Sequence, residues 1–89
     1  MEQTVTIHVP RTWITGVPEE ELTLQHVFRL GVYQYKVERA VQLYRDGVGS
    51  LGYIAEQLGI FKQDLIREFR LRGIEPDFSE ETLQEELGI

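Results

Sequence analysis

The chain has 89 residues, 42% of them hydrophobic, a formal net charge of −6 and no cysteine. That length leads us to expect one domain with a modest core and no second domain, and the missing thiols exclude disulfides and thiolate metal sites. The apolar runs are short, and the opening MEQTVTIHVP lacks the hydrophobic core of a signal peptide, so a cytoplasmic protein is expected.

Net acidity counts against a nucleic-acid partner, because phosphate contacts supply most non-specific affinity. The distribution of charge changes that reading. From Glu75 onward stand six acids (Glu75, Asp77, Glu80, Glu81, Glu85, Glu86) and no base, which leaves nine acids against nine Lys and Arg in the rest of the chain. The acidity belongs to the tail.

In chain order, Gln3 to Val9 alternates, with Val5, Ile7 and Val9 on one face and Thr4, Thr6 and His8 on the other, until Pro10 stops the pattern. This reads as a half-buried strand. No second stretch alternates, so its backbone groups need another copy of the chain, and an antiparallel ribbon in a homodimer is expected, with Val5, Ile7 and Val9 as dimerisation residues. Residues 11–18 form a connector in which Thr15, Gly16 and Pro18 suit turns and Trp13 is expected to pin the segment onto the core.

Glu19, Glu20 and Glu21 place negative charge at the start of a helix whose apolar positions include Leu24, Val27 and Phe28. Gly31, followed by Val32, Tyr33 and Tyr35, leaves open whether that helix breaks. From Tyr33 the positions Tyr33, Val37, Ala40, Val41 and Tyr44 recur at spacings of three and four, an amphipathic helix ending at Asp46 and Gly47.

Ser50 then caps a further helix. Ile54, Ala55 and Leu58 make its apolar edge, Gly59 and Ile60 the corner, and Leu65, Ile66 and Phe69 resume the helical period. The spacing predicts a helix-turn-helix over residues 50–73 within a trihelical unit. Gly73 and Pro76 end it. Ser79 opens a short acidic helix, with Phe78 and Leu83 placed as a hydrophobic staple and Leu83 and Leu87 on one face.

The run QLYRDGVGSLGYIAEQLGIFKQDLIREFRLRGI, preceded by a TVTIHVP strand and followed by an acidic tail, resembles an uncharacterised prokaryotic UPF family of small antitoxin-like proteins. The elements that carry the resemblance are Leu43, Tyr44, Gly47, Ser50, Leu51, Ala55, Gly59 and the terminator Arg72, Gly73 and Ile74. The resemblance implies a helix-turn-helix domain and a place in toxin-antitoxin pairs whose toxin is often a PIN-type nuclease. The chain departs from the family pattern at Phe61, where a serine or threonine usually opens the second helix of the motif, and in the length of its Trp13 connector.

The expected fold is therefore mainly α: an amino-terminal strand and connector (1–18), a helical domain (19–74) and an acidic tail (75–89). The expected function is that of a DNA-binding, antitoxin-type transcriptional regulator. Lys62 and Gln63 would face base edges, while Arg67, Arg70 and Arg72 would take phosphates of double-stranded DNA. In the tail, Phe78, Leu83 and Leu87 with Glu80 and Glu81 would bind a toxin-like protein with a basic surface, or else cover the chain's own basic helix.

A bland reading stands beside this one. Asp64 and Glu68 can pair with the arginines of the same helix, which would leave a protein-binding adaptor that never touches DNA. His8 and His26 read as surface residues, and no nucleophile with a base, phosphate loop or paired metal ligands appears. Neither an enzyme nor a cofactor is expected.

Overall fold

A computed structural model describes residues 3–75 and contains three α-helices: α1 (Glu21–Arg45), α2 (Leu51–Leu58) and α3 (Lys62–Leu71), preceded by a single 3-10 turn at Arg11–Ile14. The chain divides into two compact units, Met1–Gly31 and Val32–Ile89. The expected acidic helix and its residues Phe78, Glu80, Glu81, Leu83 and Leu87 lie outside the described residues.

Within the first unit no described side chain is buried. Gln3 to Pro10 carries no strand, and Val5, Ile7 and Val9 are 89, 56 and 44% exposed. The half-buried strand expected there is thus not formed in the single chain. A ladder needs a neighbour, and none of the described residues supplies one.

Trp13 also corrects an expectation: it is 75% exposed and does not pin the connector. The connector is shaped by local bonds instead. The Trp13 amide donates to the Pro10 carbonyl (3.1 Å), the Val17 amide to the Ile14 carbonyl (2.9 Å) and the Thr15 hydroxyl to the Thr12 carbonyl (3.1 Å). Arg11 and Glu19 add an exposed ion pair at 3.6 Å, of the kind that contributes little.

α1 runs through Gly31 without a break, which settles the junction left open by the sequence. One glycine costs a helix about 1 kcal/mol relative to alanine, too little to interrupt 25 residues that otherwise hydrogen-bond continuously.

In the second unit, the last turns of α1 meet α2 and α3 around one core. Ala40, Leu51, Ile54, Ala55, Leu65, Ile66 and Phe69 are buried there, with Val41, Leu43, Tyr44, Leu58, Ile60 and Ile74 packed against them. The Tyr44 ring meets Phe69 edge-on, with centroids 5.3 Å apart and planes at 75°. Among them, Ala40, Val41, Tyr44, Ile54, Ala55, Leu58, Leu65, Ile66 and Phe69 are positions whose three- and four-residue spacing predicted the helices.

All three helices close in one way. At Gly59 (φ 68°) the chain enters the left-handed region that L side chains rarely adopt, and the next amide, of Ile60, donates back to the Ala55 carbonyl at 2.9 Å. This satisfies a carbonyl left over at the helix end and folds Ile60 onto the core. The amides of Val48 and Ile74 repeat the bond to Leu43 (3.1 Å) and Phe69 (2.9 Å) after Gly47 and Gly73.

Candidate nucleic-acid interface

The turn between α2 and α3 is three residues, Gly59, Ile60 and Phe61, and the two helices begin differently. Ser50 is extended (φ −70°, ψ 161°), and its hydroxyl accepts from the Tyr53 amide at 3.2 Å, the expected cap of α2. Phe61 occupies the equivalent position of α3 with a similar backbone (φ −65°, ψ 133°) but offers no side-chain acceptor. Its ring is 81% exposed.

Successive residues of a helix turn by about 100°, so α3 sorts its side chains by position. Leu65, Ile66 and Phe69 point into the core. Gln63, Arg67 and Arg70 are exposed and lie about a third of a turn round from the core-facing side, within an arc of roughly 60°. Together with Ile66 and Leu71 they line an open depression of about 450 Å³. Leu71, 75% exposed, belongs to this surface and was not singled out by the sequence reading, although its four-residue step from Arg67 places it there.

The other two residues expected in the interface stand elsewhere. Lys62 is half-buried beside the core-facing edge. Arg72 turns back along the helix: Nη1 donates to the Glu68 carboxylate at 2.9 Å and to the Glu68 carbonyl at 3.4 Å, and the pair is 29 and 19% exposed. Its position is about half a turn of the helix from Gln63. Arg67 is held by Asp64 at 3.2 Å, in a more exposed pair (65 and 39%).

The chemistry open to this face follows from its groups. A glutamine amide matches the paired donor and acceptor of adenine, and a guanidinium matches guanine or a phosphate bidentately. Asp64 competes for Arg67, but an exposed pair of this kind contributes at most about 1 kcal/mol and yields readily to a phosphate. From Lys62 to Arg72 four bases stand against two acids, so this segment is basic in an acidic chain.

The described chain is thus a mainly helical protein whose last helix turns one amide and two guanidinium groups outward. It is similar to a UPF0175 protein of Aeropyrum pernix, with 35% identity over 54 residues. That similarity covers 61% of this chain and 61% of its relative, less than two thirds of either. No family model matches the chain, and no solved structure does. No described helix is long and apolar enough to cross a membrane.

Proposed function

We propose that this chain is an antitoxin-type transcriptional regulator, in which α2, the turn and α3 act as a helix-turn-helix on double-stranded DNA. The observation that carries the reading is the outward face of α3, where Gln63, Arg67 and Arg70 stand together on a short helix reached through a tight turn. Helices of that kind enter the major groove with their first residues toward the bases, and Gln63 occupies such a position. Lys62, half-buried, and Arg72, turned back onto Glu68, stand off this face and take no part in the contact. A homodimer paired through Thr4 to Val9 would set two such helices on half-sites roughly 10 bp apart or a multiple of that. The acidic segment from Glu75 onward binds a basic protein surface, a nuclease toxin being the partner that the family resemblance suggests.

The competing reading, a protein-binding adaptor, draws support from the Asp64–Arg67 and Glu68–Arg72 pairs, which hold these arginines against acids of their own helix. Charge reversal separates the two. Arg67→Glu with Arg70→Glu is expected to abolish retardation of the DNA upstream of the chain's own gene while the fold is kept. Unchanged retardation would remove α3 from the groove.

A further inference from the structure

The depression on α3 is more apolar than a surface that meets only phosphates and base edges requires. Of the large apolar side chains described in the second unit, the two most exposed stand at the ends of this helix: Phe61 (81%) just before it and Leu71 (75%) as its last residue. Leu71 and Ile66 line the depression together with Arg67 and Arg70. Apolar surface beside guanidinium groups matches a peptide that carries acids and large apolar side chains.

The chain holds such a peptide next to this face. Fourteen residues follow Glu75, and among them Asp77, Glu80, Glu81, Glu85 and Glu86 stand with Phe78, Leu83 and Leu87 and no base. The segment starts from a fixed point. The Ile74 amide donates to the Phe69 carbonyl at 2.9 Å and Ile74 packs against the core, so the chain leaves the domain within about one turn of Arg70. Gln63, at the far end of the depression, is about 10 Å from Arg70 along the helix, which even a fully helical stretch of about seven residues would span.

We propose that the acidic segment 76–89 seats on the outward face of α3 in its own chain, carboxylates on Arg67 and Arg70 and leucines against Ile66 and Leu71, and closes that face to DNA. The tether selects this occupant over a free protein of the same chemistry, because a short linker holds the segment at an effective concentration of about 1 mM. Asp64 already draws Arg67 at 3.2 Å, but in an exposed pair that another carboxylate replaces readily. Closure gives the segment a regulatory use. A basic protein that takes up the segment uncovers α3, and DNA on α3 releases the segment, so the two ligands favour each other by the same factor. The competition with DNA rests on the reading of α3 given above; the contact itself does not.

The test uses the full chain, which has no cysteine, so that a single nitroxide can be placed at Gln84→Cys. At low salt the label should attenuate the amide resonances of Gln63, Arg67, Arg70 and Leu71. The attenuation should disappear at high salt, and with Glu80→Gln, Glu81→Gln, Glu85→Gln and Glu86→Gln together. No attenuation on α3, or equal attenuation of an unlabelled chain mixed with the labelled one, would overturn the contact. For DNA, Leu83→Ser with Leu87→Ser leaves the charge unchanged and should tighten binding to the upstream duplex about tenfold. A contact of about 0.1 mM affinity, at an effective concentration of about 1 mM, leaves only about a tenth of the chains open. Unfolding cannot mimic such a gain. Unchanged affinity in a chain that does bind the duplex would overturn the closure. If neither form binds any duplex, the reading of α3 fails, while the nitroxide still decides the contact.

Discussion

Phe69→Ala tests the core that positions α3. Phe69 is fully buried, meets the Tyr44 ring edge-on at 5.3 Å and sits in one cluster with Ile54 and Leu65. Truncating a buried phenylalanine costs about 3–5 kcal/mol, from lost transfer energy plus the cavity left behind. A domain of this length has roughly 4–13 kcal/mol in total, so the substitution consumes much of the stability and leaves a partly unfolded population at ordinary temperature. Urea unfolding followed by circular dichroism measures it, with the midpoint falling and the slope kept. The aromatic contact itself is isolated by a double-mutant cycle of Tyr44→Leu and Phe69→Leu, with an expected coupling of about 0.5–1.5 kcal/mol. A loss below about 1 kcal/mol for Phe69→Ala would refute the packing of α1, α2 and α3 around this ring.

Three further outcomes follow from the same geometry. Ser50→Ala removes the acceptor of the Tyr53 amide and should cost about 1 kcal/mol in thermal or urea unfolding, with no effect indicating that α2 is not held by this cap. DNA binding by the wild-type chain should weaken steeply with salt. If each arginine meets one phosphate in each half of a dimer, four contacts give a slope of about −3.6, or roughly a hundredfold loss of affinity between 50 and 200 mM salt, and a flat response would favour the adaptor. Deleting the chain from Phe78 onward should abolish binding to the product of the adjacent gene in a pull-down while DNA binding is preserved or strengthened; loss of both would make the tail structural.

What could be read from the sequence was local. Ser50, Gly59 and Gly73 mark the ends of α2 and α3 because capping and left-handed closure act within a few residues, and the core positions Ile54, Ala55, Leu65, Ile66 and Phe69 follow from helical spacing alone. What could not be read depends on partners or on orientation. Gly31 is one weak residue in a long helix, and propensity could not decide whether the helix continues. The Gln3 to Val9 pattern is that of a strand, but pairing needs an edge that lies outside the single chain. Trp13 is apolar enough to suggest burial, yet a 3-10 turn directs it outward. Arg72 differs from Arg67 and Arg70 through its place on the helical wheel and the Glu68 carboxylate four residues back, so a list of basic residues merged what the helix separates.

Whether α3 reads DNA is measured directly by the chain's affinity for the duplex upstream of its own gene against an unrelated duplex of equal length, at one fixed salt concentration. A preference of about a thousandfold or more is expected, as specific readers display. Equal affinity for the two duplexes, or none for either, would contradict it.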